Sequence, residues 1–165
     1  MVSPIIYLAT EESGEQVHER CIRLGCNASK VLIGHPITPE HIETLIQSIP
    51  PELPSLIVLD SLQGLIGKDY GMGEDVLKML KGFAVDICPV IVTNQITKGD
   101  DFAGPMANQH AVDGTFTFDR LDGATIFLET IKNRNGPAGV RNLFTMTSKG
   151  LIPHVGQSAP WSAKG

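Results

Sequence analysis

The chain has no excess of basic residues: 13 Lys and Arg stand against 18 Asp and Glu, a net charge of −5. That balance argues against a protein that coats nucleic acid by bulk charge, while a local patch or a multimeric channel could still be positive. Cysteine is scarce. Cys21, Cys26 and Cys88 lack the paired spacing of a metal site and read as reduced, mostly buried thiols. No apolar run approaches the eighteen or so residues of a membrane span. The N-terminus also lacks a charged region followed by a long apolar stretch. There is no internal repeat and no linker-like segment. The five histidines, His18, His35, His41, His110 and His154, are scattered without metal spacing. The expectation is a soluble, cytoplasmic chain of one domain, long enough at 165 residues to bury about 70% of its unfolded surface.

What is present centres on Leu56 to Ser61, L-I-V-L-D-S. Four apolar residues in a row suit a strand buried on both faces. In open parallel sheets ligands lie beyond the carboxyl ends of the strands, which is where Asp60 and Ser61 would stand. Asp at a strand end also starts turns and caps helices, so the pattern alone is weak. Upstream, Ile5 to Thr10 reads as a second buried strand ending in Glu11, Glu12 and Ser13. Ser13 caps a helix carrying Val17, Cys21 and Leu24 at helical spacing, and Gly25 stops it. Lys30 to Gly34 is a short strand. Thr38 and Pro39 open a helix with Ile42, Leu45, Ile46 and Ile49 in one stripe.

After Ser61 a glycine-punctuated loop spans Gln63 to Gly73, followed by a helix from about Glu74 to Val85. Pro89 to Thr93 is the next buried strand and ends in Asn94 and Gln95. Alternating strands and helices predict a mostly parallel sheet. Beyond a polar loop from Thr97 to Gly104, four strands joined by short turns predict an antiparallel meander closing one side of that sheet. These strands are Thr115 to Phe118, Ala124 to Ile131, Asn142 to Thr147 and a stretch near Ile152. The tail from Gly156, with Trp161, has no periodicity and is expected to be loose.

Read together, Y-L-A-T-E-E-S, L-I-V-L-D-S-L-Q, P-V-I-V-T-N-Q-I-T-K, A-G-P, H-A-V-D-G-T-F-T-F-D and I-K-N-R-N-G occur in one order with natural spacing. That series closely resembles the ATPase core of the RadA (Sms) proteins, bacterial DNA-repair members of the RecA superfamily. The resemblance covers roughly residues 5–155. It implies an α/β, RecA-like core over 1–155, with a flexible tail over 156–165, and an oligomer that uses ATP and Mg²⁺ on single-stranded DNA in repair and recombination.

Residue by residue, the resemblance makes Asp60 the Walker B aspartate that holds Mg²⁺ through water, with Ser61 beside it. Glu11 matches the glutamate that polarises the attacking water, with Glu12 next to it, a role that suits a carboxylate able to accept a proton. On residue type alone, Glu11 and Glu12 also fit an acidic first helical turn. Gln95 matches the polar sensor of the fourth strand. Lys132, Asn133, Arg134 and Gly136 match the K-N-R-F-G motif, with Asn135 in place of phenylalanine. There a guanidinium reaches a neighbour's nucleotide. The lost aromatic puts any stacking at that tip in doubt. Lys98 and Gly99 lie in the segment resembling the second DNA-binding loop, although Asp100 and Asp101 oppose a phosphate backbone. Lys68 and Tyr70 fall in the other DNA loop, offering a charge and a stacking face.

The largest departure from the family is that G-x-x-x-x-G-K-S/T occurs nowhere in the 165 residues. That loop cradles phosphates with backbone N–H groups and neutralises them with its lysine. Gly64 to Lys68, G-L-I-G-K, has the wrong spacing and follows the wrong strand. The family's zinc-binding and protease-like modules also have no counterpart in this sequence. Two expectations follow. The place of the first P-loop strand is filled by a rearranged strand, another subunit or a separate polypeptide. The chain alone binds ATP poorly and does not hydrolyse it. Two alternatives stay open: a non-catalytic RecA-fold subunit acting through Lys132 and Arg134, and a DNA-binding module with no nucleotide role.

Overall fold

The computed structural model describes residues 4–49, 54–67, 69–95 and 110–160, with the backbone alone for Tyr70 and residues 155–160. The chain divides into two compact units, Met1–Ala111 and Val112–Gly165, where length alone points to one domain.

The first unit holds a parallel sheet of β1 (Ile5–Ala9), β2 (Val31–Gly34), β3 (Leu56–Asp60) and β4 (Val90–Val92), in the order β2-β1-β3-β4. Register pairs Ile6 with Ile57 and Leu8 with Leu59, and none of the four is more than 4% exposed. Each such side chain contributes about 1.5–3 kcal/mol of burial. The opposite sheet face carries Tyr7, Val58 and Asp60, which are only half-buried. Alternation along the strands therefore separates a packing face from one that bears polar groups.

Helix α1 (Gly14–Arg23) starts where the sequence places it. Gln16 N–H donates to the Ser13 hydroxyl and Ser13 N–H to the Gln16 side chain, at 3.3 and 2.9 Å, a complete capping box. Helix α2 (Pro39–Gln47) has proline at its first position and buries Ile42 and Ile46. Leu45 lies against the backbone of Gly34, where a Cβ would come within 3.1 Å of it.

The expected loop from Gln63 to Gly73 is largely helical: α3 (Leu62–Ile66) and α4 (Tyr70–Asp86) take up most of it. Two caps and one close contact override the weak helix preference of glycine. Ser61 accepts from Gly64 N–H at 3.1 Å, and Asp69 accepts from Met72 N–H at 3.0 Å. Gly73 lets α4 approach α3, since a Cβ there would sit 2.8 Å from Ile66 Cδ1. Leu62, Val76 and Leu80 complete the core beneath them. The thiols also differ from expectation: Cys88 is buried, but Cys21 is half-exposed and Cys26 exposed, because both lie at the outer end of α1.

The second unit is an antiparallel sheet of β5 (Gly114–Arg120), β6 (Thr125–Asn133), β7 (Val140–Thr147) and β8 (Gly150–Pro160), in chain order. The meander thus forms a sheet of its own, and among the described residues none of its strands pairs with the parallel sheet. Phe118 and Phe144 stack at 6.1 Å on one face. On the other face, Arg141 lies 4.2 Å from the Phe127 ring centroid and 2.7 Å from Glu129. Within the tail expected from Gly156, the described backbone as far as Pro160 continues β8. An irregularity between Asn142 and Phe144 resets the register, and Ser158, Ala159 and Pro160 pair with Asn142, Arg141 and Val140. Trp161 lies outside the described residues.

Candidate functional site

The carboxyl ends of β1, β3 and β4 converge in the first unit, and backbone bonds stitch them together. Thr10 N–H donates to Asp60 O at 2.9 Å, and Leu62 N–H donates to Thr93 O at 2.9 Å. The Thr10 hydroxyl accepts from Ser61 N–H at 2.8 Å and donates to Ser61 O at 2.9 Å. The Asp60–Ser61 peptide is cis. Gly64 fits beneath this junction only because it has no side chain. A Cβ there would stand 2.3 Å from Thr10 Oγ1 and 2.7 Å from Glu11 Cγ.

Glu11, Asp60, Ser61 and Gln95 are brought together at this rim. The Ser61 hydroxyl donates to Glu11 Oε1 at 3.0 Å, and the Gln95 amide donates to both Glu11 oxygens at 3.3 and 3.4 Å. Ser61 itself is 3% exposed. Its hydroxyl donates to Glu11 and accepts from Gly64 N–H, so it holds the acid and caps α3. Asp60 Oδ1 accepts from the Thr93 hydroxyl at 2.6 Å, and Oδ2 accepts from the Tyr7 hydroxyl. Burial, and after it the hydrogen bond to Asp60, holds the Tyr7 phenol well above its ordinary pKa, so it acts as a donor.

Behind Tyr7 lies Arg20 from α1, with Nη1 3.5 Å from the phenol and Nη2 bonded to Glu12. Partial burial disfavours the guanidinium charge, but the hydrogen bond and charge of Glu12 outweigh it and raise the pKa. Glu12, the neighbour of Glu11, is paired with Arg20. The second acid of the E-E pair therefore anchors a cation next to the Asp60 network.

Two of the named cations sit in the second unit. Lys132 Nζ donates to Val112 O at 2.7 Å, and Arg134 pairs with Asp113 at 2.7 Å while both side chains stay more than half exposed. Of the DNA-loop residues, Tyr70 opens α4 but its side chain lies outside the described residues, as do Lys68, Lys98 and Gly99 entirely.

The resemblance implies a divalent cation at this rim. Glu11, Asp60, Ser61 and Thr93 offer oxygen only, which suits a hard cation of the magnesium type and not a soft metal. Both Asp60 oxygens already accept a hydrogen bond, each keeping one free lone pair, so Asp60 fits an ion held through water. No group of three His, Cys, Asp or Glu able to hold a metal occurs among the described residues.

Tyr7, Thr10, Arg20, Gly64 and Thr93 were not legible as site residues. A partial signal exists for Tyr7. It is the one residue with a polar side chain in I-I-Y-L-A, and pairing of Ala9 with Asp60 places it on the same sheet face as the acid.

No family model matches the sequence. Among curated relatives, the DNA repair protein RadA of Aquifex aeolicus (strain VF5) is 33% identical over 158 residues, 89% of this chain. RadA of Pseudomonas aeruginosa is 29% identical over 90% of the chain, and RadA of Bacillus subtilis (strain 168) is 26% identical over 89%. Over most of its length the chain is similar in sequence to these RadA proteins. It spans about a third of the length of those relatives, 34%, 34% and 33% respectively. Among solved structures, a KaiC-like protein from Pyrococcus horikoshii OT3 matches 92% of this chain and 76% of its own, with TM-score 0.68 at 12% identity. The RadB recombinase matches 90% of this chain and 78% of its own, with TM-score 0.63 at 17% identity. The chain thus has the RecA-type α/β fold of these neighbours, and among the described residues no helix is long and apolar enough to cross a membrane.

Proposed function

We propose that the RadA-like chain carries the hydrolytic half of an ATP-dependent DNA-repair motor and depends on a P-loop from outside these 165 residues. The observation that carries this reading is the Glu11 carboxylate, held by Ser61 and Gln95 on a rim shared with Asp60. A carboxylate fixed from one side by two donors keeps lone pairs for a water on the other, as in-line attack on a terminal phosphate requires. Glu11 orients that water and accepts its proton. Gln95 bridges the acid to the start of the segment after β4, so a change at the phosphate is felt there. Asp60, fixed by Tyr7 and Thr93, would hold magnesium through water with its remaining lone pairs. Magnesium, when bound with the nucleotide, supplies neutralisation of the phosphate charge. Lys132 and Arg134 offer cations for a neighbouring subunit's nucleotide, and single-stranded DNA is the proposed polymer partner.

Dependence on another segment is supported by the sheet. Among the described residues β4 pairs only with β3, it is three residues long, and Ile91 is 51% exposed. An unpaired edge with an exposed apolar residue accepts a further strand readily. No rearranged strand of this chain fills that place among the described residues.

The experiment is to assay the purified chain for ATP binding by calorimetry and for phosphate release, with and without single-stranded DNA. Neither is expected above background. Turnover comparable with intact RadA, abolished by Glu11→Gln, would overturn the dependence on an added P-loop.

A further inference from the structure

Helix α1 ends in a Schellman turn. Cys26 N–H donates to Cys21 O at 2.8 Å, Gly25 N–H donates to Ile22 O at 3.0 Å, and Gly25 has φ +71°. This motif brings together the side chains of the third residue before the cap and the second after it. With Leu24 as the cap, both of those residues are cysteines. The hydrogen bond bounds their separation. Standard backbone lengths put the two Cα atoms no more than about 6.7 Å apart. That lies within the span a disulfide bridges. Both thiols are free, Cys26 exposed and Cys21 half-exposed, whereas Cys88 is 7% exposed and its thiol pKa is raised by burial.

We propose that Cys21 and Cys26 form a dithiol–disulfide couple, a modification site closed across the end of α1 by exchange with small disulfides such as oxidised glutathione. The thiolate of the exposed Cys26 attacks one sulfur of the small disulfide. That S–S bond breaks, and one small thiolate leaves and takes up a proton. The Cys21 thiolate then attacks the Cys26 sulfur of the mixed disulfide and expels the second small thiolate, which is also protonated. Two protein thiols are oxidised by two electrons, and one small disulfide becomes two thiols. The turn holds the second thiol beside the first, which favours ring closure over a lasting adduct. Under a reducing thiol poise the couple rests as the dithiol and closes when oxidised glutathione rises. The inference stands on the turn alone and does not depend on the nucleotide reading.

The test equilibrates the full chain with glutathione buffers of increasing oxidation, quenches with acid and alkylating reagent, and reads intact and tryptic masses. The expected product is lighter by two hydrogen atoms, with peptides 21–23 and 24–30 joined, and with Cys88 alkylated only after unfolding. Cys21→Ser is expected to leave a persistent glutathione adduct on Cys26. Gly25→Ala, which forces a side chain into the left-handed region, is expected to lower the disulfide fraction several-fold in the same buffer. Accumulation of the Cys26 adduct on the wild-type chain without ring closure would overturn the proposal. So would covalent dimers as the main product, or a disulfide fraction indifferent to Gly25→Ala.

Discussion

With a P-loop segment supplied, Glu11→Gln is expected to cut ATP turnover by about 10²–10⁴-fold, the usual worth of a positioned general base. Nucleotide affinity is expected to change little, because Glu11 is held by Ser61 and Gln95 and not by the phosphate cradle. The glutamine keeps the volume of the acid, and its carbonyl still accepts from Ser61. What it loses is the capacity to take a proton. Turnover measured beside fluorescent-nucleotide affinity and thermal midpoint separates this from misfolding. Loss of affinity in step with turnover would show that Glu11 binds the nucleotide instead.

The second large effect is structural. Gly64→Ala ordinarily favours a helix by up to about 1 kcal/mol. Here it is expected to destabilise the chain by about 1–3 kcal/mol, the range for overpacking a filled site. The new Cβ would stand 2.3 Å from Thr10 Oγ1 and 2.9 Å from Thr10 Cβ. Thr10 cannot turn away without losing both bonds to Ser61. Gly82, inside α4 with nothing within 4 Å of its missing Cβ, is the control. Gly82→Ala is expected to stabilise by about 0.5–1 kcal/mol. Urea midpoints of the two variants should move in opposite directions, and parallel shifts would remove the steric account of Gly64.

The main strands and the first two helices were legible because their signals are local: the uninterrupted apolar runs of β1 and β3, the Ser13 cap and the Pro39 start. Helix α3 and the first turn of α4 were missed because glycine composition spoke for a loop, while the deciding terms were two side-chain caps and the fit of Gly73 against Ile66. The division into two sheets was hidden for a related reason, since a short-turn meander reads the same whether or not it joins a neighbouring sheet. At the rim, Asp60 ends a strand and Glu11 and Gln95 each follow one, and all three could be named from that placement. The groups that hold them come from elsewhere in the chain. Tyr7 and Arg20 reach the acids through sheet register and through the packing of α1, which spacing along the chain does not express.

The brevity of β4 has a consequence for recruitment. Three residues present only a handful of outward amides, too few to retain a loose peptide against the entropy of ordering it. A newcomer at that margin must therefore arrive either on a covalent tether, which raises its local concentration to the millimolar range, or with an apolar helix of its own to share the grip. Under dilution, the tethered arrangement would endure while the untethered one comes apart.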